Sequence, residues 1–176
     1  MIFNPRTLKT VLGYAVSLVE KYTGVSLKKN KLTSIYNYLQ INPNLATSGQ
    51  PTANQLNTIK AAGYTKIINL APDTAENSLT DEASILAKIG IDYINIPVNF
   101  RAPSEHDFKQ FVTHMKSHQT QKIWVHCAAN MRVSCFIFKY RTAILGENMS
   151  LAEAGLKKIW QPNKVWKKFI DKPATD

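Results

Sequence analysis

The sequence predicts an α/β fold in which an open, mostly parallel sheet is flanked by helices, and three observations carry that expectation. Short β-branched runs alternate with amphipathic segments from about residue 34 onward, the pattern of a sheet covered by helices. Two of the runs, "KIINL" (66–70) and "KIWV" (122–125), are short and largely apolar, as central parallel strands are. A chain of 176 residues with 44% hydrophobic content is long enough to bury one substantial core and short for two.

Taken in order, "TLKTVLGYAVSLVEKY" places Leu8, Leu12, Ala15, Val16 and Val19 on one face at a 3.6-residue period. This predicts an amphipathic helix that docks on the domain or on a second chain. Its apolar stretch, Val11 to Val19, is too short to span a bilayer and has no small-x-small cleavage site before Glu20 and Lys21. A basic turn near Lys28, Lys29 and Lys31 follows, so residues 1–31 read as an N-terminal extension and 32–176 as the α/β domain. "SIYNYL" (34–39) reads as the first strand. A turn-rich piece then leads to Thr52, the expected cap of a helix closed by Gly63. After "KIINL", the loop "APDTAENS" brings the chain to Thr80, which is placed to cap a helix stopped by Gly90. "DYINIPV" (92–98) is the next strand, with Pro97 at its end because proline cannot donate to an internal ladder. Ser104 caps a helix through about His118. "KIWV" precedes the turn "HCAANM" and a helix, "RVSCFIFKYRTAIL", that is apolar on nearly all sides. Ser150 with Glu153 has the spacing of a capping box, and Pro162 opens a last helix carrying Val165, Trp166 and Phe169. The predicted order is β-α-β-α-β-α-β-α-α, whose ligand site belongs at the carboxyl ends of the strands.

The charge balance points to an anionic partner. Lys and Arg outnumber Asp and Glu by 22 to 12, a net charge of +10, which favours encounter with anions without choosing among them. No RNA-recognition sheet or zinc-finger signature accompanies it, so a specific nucleic-acid partner is not expected. Cys127 and Cys135 are eight apart, a spacing that matches neither a disulfide framework nor a metal site. No metal or cofactor is called for, and a reducing, cytoplasmic setting fits, with export after N-terminal processing as the alternative.

The chemistry gathers in "WVHCAANMRVS" (124–134). A nucleophilic cysteine needs a lowered pKa, and a strand-to-helix turn supplies free N–H groups and the positive end of a helix dipole. Cys127 stands in such a turn. The backbone of Ala128, Ala129, Asn130 and Met131 would form a nest for a tetrahedral oxyanion, and Arg132 at the helix start would grip two of its oxygens. His126 would hold the loop or tune the thiol, and Ser134 would donate to the thiolate or leaving sulfur. A lone cysteine at a strand end is often inert packing, and that is the expectation for Cys135. An arginine at the start of so apolar a helix, however, needs an anion.

"VHCAANMRVS" resembles the His-Cys…Arg-Ser/Thr signature of the cysteine-dependent tyrosine and dual-specificity phosphatases. Together with "TSGQPT" (47–52), "GYTKIINL" (63–70) and "YINIPV" (93–98), it is similar to the bacterial phosphatase-like family related to the beta-lactamase-hydrolase-like proteins, over residues 33–145. The resemblance implies a tyrosine-phosphatase-like sheet with the Cys loop between a central strand and a helix, and a phosphorylated substrate. It implies Cys127 as nucleophile and Arg132 as phosphate ligand. Three departures stand out: four residues rather than five separate Cys from Arg, the loop glycine is absent, and Asn99 holds the place of the acidic proton donor. Asp73, Glu105 and Asp107 are the substitute acids, although acids in a helix's first turn also simply complement its dipole. Three functions follow: a phosphatase working through a phosphocysteine, a rhodanese-like sulfurtransferase working through a persulfide, or a catalytically silent anion-binding module. The N-terminal helix is the segment expected to pair chains if the protein is oligomeric.

Overall fold

A computed structural model describes residues 5–23 and 31–173. Helix α1 covers Pro5–Thr23, strands β1 and β2 cover Leu39–Asn42 and Leu45–Ser48, and helix α2 covers Ala53–Ala61. Next come β3 (Lys66–Asn69), α3 (Glu82–Lys88), β4 (Asp92–Asn95), α4 (Glu105–Ser117), β5 (Ile123–His126) and α5 (Met131–Lys139). Helices α6 (Met149–Ile159) and α7 (Lys164–Asp171) end the described chain. The five strands lie in the order β1-β2-β5-β3-β4, parallel except for the antiparallel edge pair β1–β2. The last strand in sequence is thus the central one in space. Its carboxyl end is where neighbouring connections leave for opposite faces of the sheet, the crevice in which open α/β sheets hold ligands.

Several local expectations hold because the chemistry that sets them is local. The Thr52 side chain accepts from the Gln55 N–H and Gln55 returns a bond to Thr52, a reciprocal cap. Ser104 caps α4, and Gly63 and Gly90 end their helices at φ +86 and +67°. Others are corrected. Only Leu39 of residues 34–39 lies in a strand; a 3₁₀ turn at Leu32–Ser34 and an irregular segment precede β1, while the supposed turn-rich piece contributes fully buried β2. A two-residue link makes β1 and β2 a hairpin, so burial of β2 against β5 overrides its weak local signal. Caps shift as well: Asp81, not Thr80, precedes α3, and Asn148 rather than Ser150 caps α6. Asn163 rather than Pro162 caps α7, and α5 runs into a π-turn at Tyr140–Ile144 instead of continuing.

The sheet divides the core. One face packs Ile35, Leu56, Ile59, Leu86 and Trp124 under α2 and α3. The other buries an aromatic cluster of Phe108, Phe111, Phe136, Trp166 and Phe169 beneath α5. Trp166 is fully buried, and its indole N–H donates 3.0 Å to the Phe100 carbonyl, so α7 pins the loop that follows β4. The two tail tryptophans therefore act through packing.

Helix α1 does not dock on the domain through its apolar stripe, one of the two alternatives its pattern offers; the other, docking on a second chain, leaves that stripe outward. Leu8 and Leu12 are 48% and 59% exposed, whereas Thr10 is buried and donates to the Ile159 carbonyl. Gly13 explains the close approach: a Cβ there would stand 2.4 Å from the Tyr36 ring, which on its other flank leaves the same lack of room at Gly49. Polar and small residues dock because the surface they meet is made of backbone carbonyls and one flat ring. The side chains of Val16 and Val19, and the basic pair Lys28 and Lys29, lie outside the described residues. No helix among the described residues is long and apolar enough to cross a membrane.

Candidate active site

Cys127 follows the central strand directly and is fully buried, with its N–H donating to the Ser48 carbonyl at 3.4 Å. The four residues after it turn sharply into α5 because Asn130 takes the left-handed conformation, φ +62°. Asparagine tolerates that region far better than a β-branched residue, so it stands in for the absent glycine. Its side chain repays the strain: Nδ2 donates 2.7 Å to the Asn37 carbonyl and 3.0 Å to the Thr47 hydroxyl.

Two further amides brace the turn from outside. Asn77 Nδ2 donates 2.9 Å to the Ala128 carbonyl, which also accepts from the Gln50 N–H. Asn37 Nδ2 donates 3.1 Å to the Ala129 carbonyl. In a trans peptide the C=O and the next N–H point opposite ways, so these bonds to the Ala128 and Ala129 carbonyls also fix the orientation of the amides that follow them. Met131 and Arg132 begin α5, where the first N–H groups have no intrahelical acceptor. A turn that starts at Cys127 and ends on the first N–H groups of α5 is the kind of place where a tetrahedral anion can be received.

Arg132 completes it from the helix. Its Nε donates 3.0 Å to the Val98 carbonyl, and its guanidinium lies 5.3 Å from the centre of the Phe100 ring. One N–H is spent on orientation, leaving the guanidinium's two terminal nitrogens as the fork for a tetrahedral anion. Helix α1 reaches the same region: the Tyr14 hydroxyl lies 3.4 Å from Glu76 Oε2, next in sequence to Asn77. Burial and the Glu76 carboxylate raise the Tyr14 pKa, while the Arg132 charge pulls it down.

Behind the nest lies a buried polar network that sequence reading missed. Glu82 is 5% exposed and accepts from Gln50 Nε2 at 2.8 Å, Asn69 Nδ2 at 3.1 Å and the Tyr93 hydroxyl at 3.3 Å. The His126 ring, fully buried, brings Nε2 to 3.3 Å from Glu82 Oε1 but off the line of a hydrogen bond. Burial pushes the Glu82 pKa up, yet the adjacent His126 and the bonds from Gln50 and Tyr93 outweigh it and hold the carboxyl below its ordinary value. His126 thus packs against Glu82, bringing the end of β5 up to α3.

The remaining predicted residues scatter. Ser134 does not point its proton at Cys127; its hydroxyl donates 3.0 Å to the Met131 carbonyl and accepts from the Trp160 indole at 3.2 Å. Asn99 folds its side chain onto the Arg101 N–H at 2.9 Å, an Asx turn that shapes the loop around Arg132. Asp73 is exposed in the loop after β3, where its carbonyl accepts from Ser78. Asp107 lies in the first turn of α4, its N–H capped by Ser104. Cys135 is packed inside α5, and burial raises its pKa well above the ordinary value. Among the described residues no group of His, Cys, Asp and Glu is arranged to hold a metal ion.

Glu105 has a different occupation from the proton donor proposed for it. Its Oε1 meets Lys139 Nζ at 2.6 Å, and that ammonium is buried, bonded to the Phe169 carbonyl and flanked by the Phe108 and Phe169 rings. Removing one partner of such a pair strands a buried charge, at a cost of about 3 kcal/mol. Glu105→Gln is therefore expected to lower thermal stability while leaving the pH dependence of any turnover unchanged, which paired melting and pH–rate measurements would check.

Comparison with known proteins now bears on this geometry. Residues 17–167 match the family model described as a DSP-PTPase phosphatase fused to NAD+ kinase. The chain is similar to the beta-lactamase hydrolase-like protein of Agrobacterium fabrum, 31% identical over 97 residues, or 53% of this chain. Only 22% of that relative's length is spanned. Among solved structures it resembles a DUF442 protein assigned to the phosphatases, from Shewanella putrefaciens, at 30% identity and a TM-score of 0.72, covering 80% of this chain and 92% of the other. It also shares the fold of the core catalytic domain of a PP-IP phosphatase from S. cerevisiae, at 15% identity and a TM-score of 0.67, covering 79% and 86% of the two chains.

Proposed function

The chain belongs to the DSP-PTPase family whose model spans residues 17–167, and from that membership we propose that it hydrolyses phosphomonoesters through a phosphocysteine at Cys127. The observation that carries the reading is the Cys127–Arg132 turn itself. It closes the central strand with two carbonyls braced outward and a guanidinium oriented by Val98 and Phe100. In the proposed reaction the Cys127 sulfur attacks phosphorus, the bond to the leaving oxygen breaks, and charge on the equatorial oxygens is met by the loop amides and Arg132. Water then attacks the phosphocysteine, releasing inorganic phosphate and returning the thiolate.

The leaving oxygen needs a proton or must be stable without one. Glu105 is committed to Lys139 and Asn99 to its own turn, which leaves Asp73 and Asp107 as the acids proposed from sequence. Aryl phosphates, whose phenolates depart unaided, are accordingly the substrates expected to turn over fastest. The same two commitments favour, as a second reading, a module that binds phosphate without turning it over.

An acid quench during turnover of p-nitrophenyl phosphate separates the readings. Peptide mass mapping should find a phosphoryl group on Cys127 and none in Cys127→Ser. Steady hydrolysis with no such adduct would contradict the proposed route, and phosphate binding without either would support the silent module. As part of the proposal, residues 32–176 form the phosphatase-like domain and residues 1–31 an extension. We also place the chain in a reducing bacterial cytoplasm, where its two free cysteines stay reduced, with the outward Leu8 and Leu12 stripe as the surface for pairing two chains.

A further inference from the structure

Helix α1 leaves a groove between itself, the segment preceding β1 and the end of α6. The groove has a volume of about 930 Å³, within the range of sites that hold small molecules. Arg6, Lys9, Lys31 and Lys158 line it, and no carboxylate does among the described residues. The hydroxyl residues Thr33 and Ser34 and the rings of Tyr36 and Tyr38 supply its other walls. Like charges gathered around one recess repel one another, and a cleft with low-dielectric walls focuses their field. Arg6 also donates 3.1 Å to the Lys157 carbonyl, and the focused positive field favours an anion in the recess.

The groove also shares a residue with the Cys127 loop. Asn37, one of its lining residues, is held at φ +49° and donates through Nδ2 to the Thr10 hydroxyl at 3.3 Å and to the Ala129 carbonyl at 3.1 Å. Its own carbonyl takes the Asn130 Nδ2 at 2.7 Å. Anything that moves Asn37 from the groove side therefore moves the brace on Ala129 and Asn130.

We propose that this groove is a second anion site, distinct from the Cys127 nest, which takes a small polyanion of the polyphosphate type and communicates its occupancy to the nest through Asn37. Several cations around one recess call for several anionic groups on one ligand, and a recess excludes a flat membrane surface. The proposal does not depend on the phosphatase reading, because binding and cysteine reactivity, not turnover, report on it.

The test titrates the full chain with sodium tripolyphosphate by calorimetry. Affinity should fall with added salt, fall at least about tenfold in the Lys9→Glu/Lys158→Glu double variant, and survive Arg132→Ala. Both lysines are exposed, and Lys31→Glu gives an independent reversal should either perturb folding. Bound tripolyphosphate should change the iodoacetamide alkylation rate of Cys127, read by mass mapping, and Asn37→Ala should remove that change at saturating tripolyphosphate. Affinity indifferent to the lysine reversals, or lost with Arg132→Ala, would overturn the second site. An acidic peptide that binds where tripolyphosphate does not would overturn its small-molecule class, and binding with no change in Cys127 reactivity would overturn the communication.

Discussion

Glu82→Ala is expected to be the most destabilising single substitution around the site, by about 3–5 kcal/mol. Three donors converge on that carboxylate, from Gln50, Asn69 and Tyr93, and the buried His126 ring stands 3.3 Å away. Removing the acceptor leaves all of them buried without it, and water has no ready entry to a group 5% exposed. For a chain of this length such a loss corresponds to a melting temperature lower by roughly 10 °C. The same carboxylate makes stability depend on pH in a definite direction. Its folded pKa lies below the ordinary value of 4.5, so the folded state holds the ionised form more tightly than the unfolded chain does. That contribution is fully present above the unfolded pKa and is lost as pH falls through the depressed folded value. Wild type should lose stability over this acid range faster than Glu82→Gln, and melting curves collected across it provide the check. A variant as pH-sensitive as wild type would mean that the network's stability does not come from Glu82 ionisation.

What the sequence disclosed and what it hid divide along a physical line. Strands β3, β4 and β5, the Cys127 turn at the end of the central one, and the helix after it, expected from Arg132 and found from Met131, were legible because short apolar runs and turn residues signal locally. Strand β2 was hidden inside a stretch that reads as turns, because its order comes from β5 beside it rather than from its own residues. The face by which α1 meets the domain was hidden for a related reason. Periodicity locates the apolar stripe, but Thr10 and Gly13 dock against carbonyls and the Tyr36 ring, a surface assembled from residues distant in sequence. The three asparagines that hold the loop are likewise separated in the chain, and only Asn130 carried a sequence signal, as a residue tolerant of positive φ. Asn77 sits in a loop where a turn-former is unremarkable, and nothing in "YNYL" marks Asn37 as the brace of a site some ninety residues away. Glu82 stands in the first turn of α3, where an acid complements the helix dipole, so nothing in the sequence singled it out.

Arg132→Lys should preserve the fold and the positive charge yet reduce hydrolysis of p-nitrophenyl phosphate by about 10²–10³-fold, the usual cost of losing an oriented oxyanion donor. The reasoning lies in geometry rather than charge. Arginine spends Nε on the Val98 carbonyl at 3.0 Å and holds its guanidinium 5.3 Å from the centre of the Phe100 ring, which fixes the group's orientation and leaves its terminal nitrogens for the anion on the proposed reading. Lysine offers one ammonium on a flexible stem, which must choose between the carbonyl and the anion. If the phosphoryl group gains its equatorial charge only as the sulfur–phosphorus bond forms, the loss appears mainly in kcat, with KM changed little. Cys127→Ser sets the floor for comparison, since a hydroxyl with no base beside it cannot take the sulfur's part. A lysine variant within about threefold of wild type would show that the fork is not what meets the transition state. The Nε bond to Val98 would then be an ordinary structural contact, and the loop amides braced by Asn37 and Asn77 would bear the charge without it.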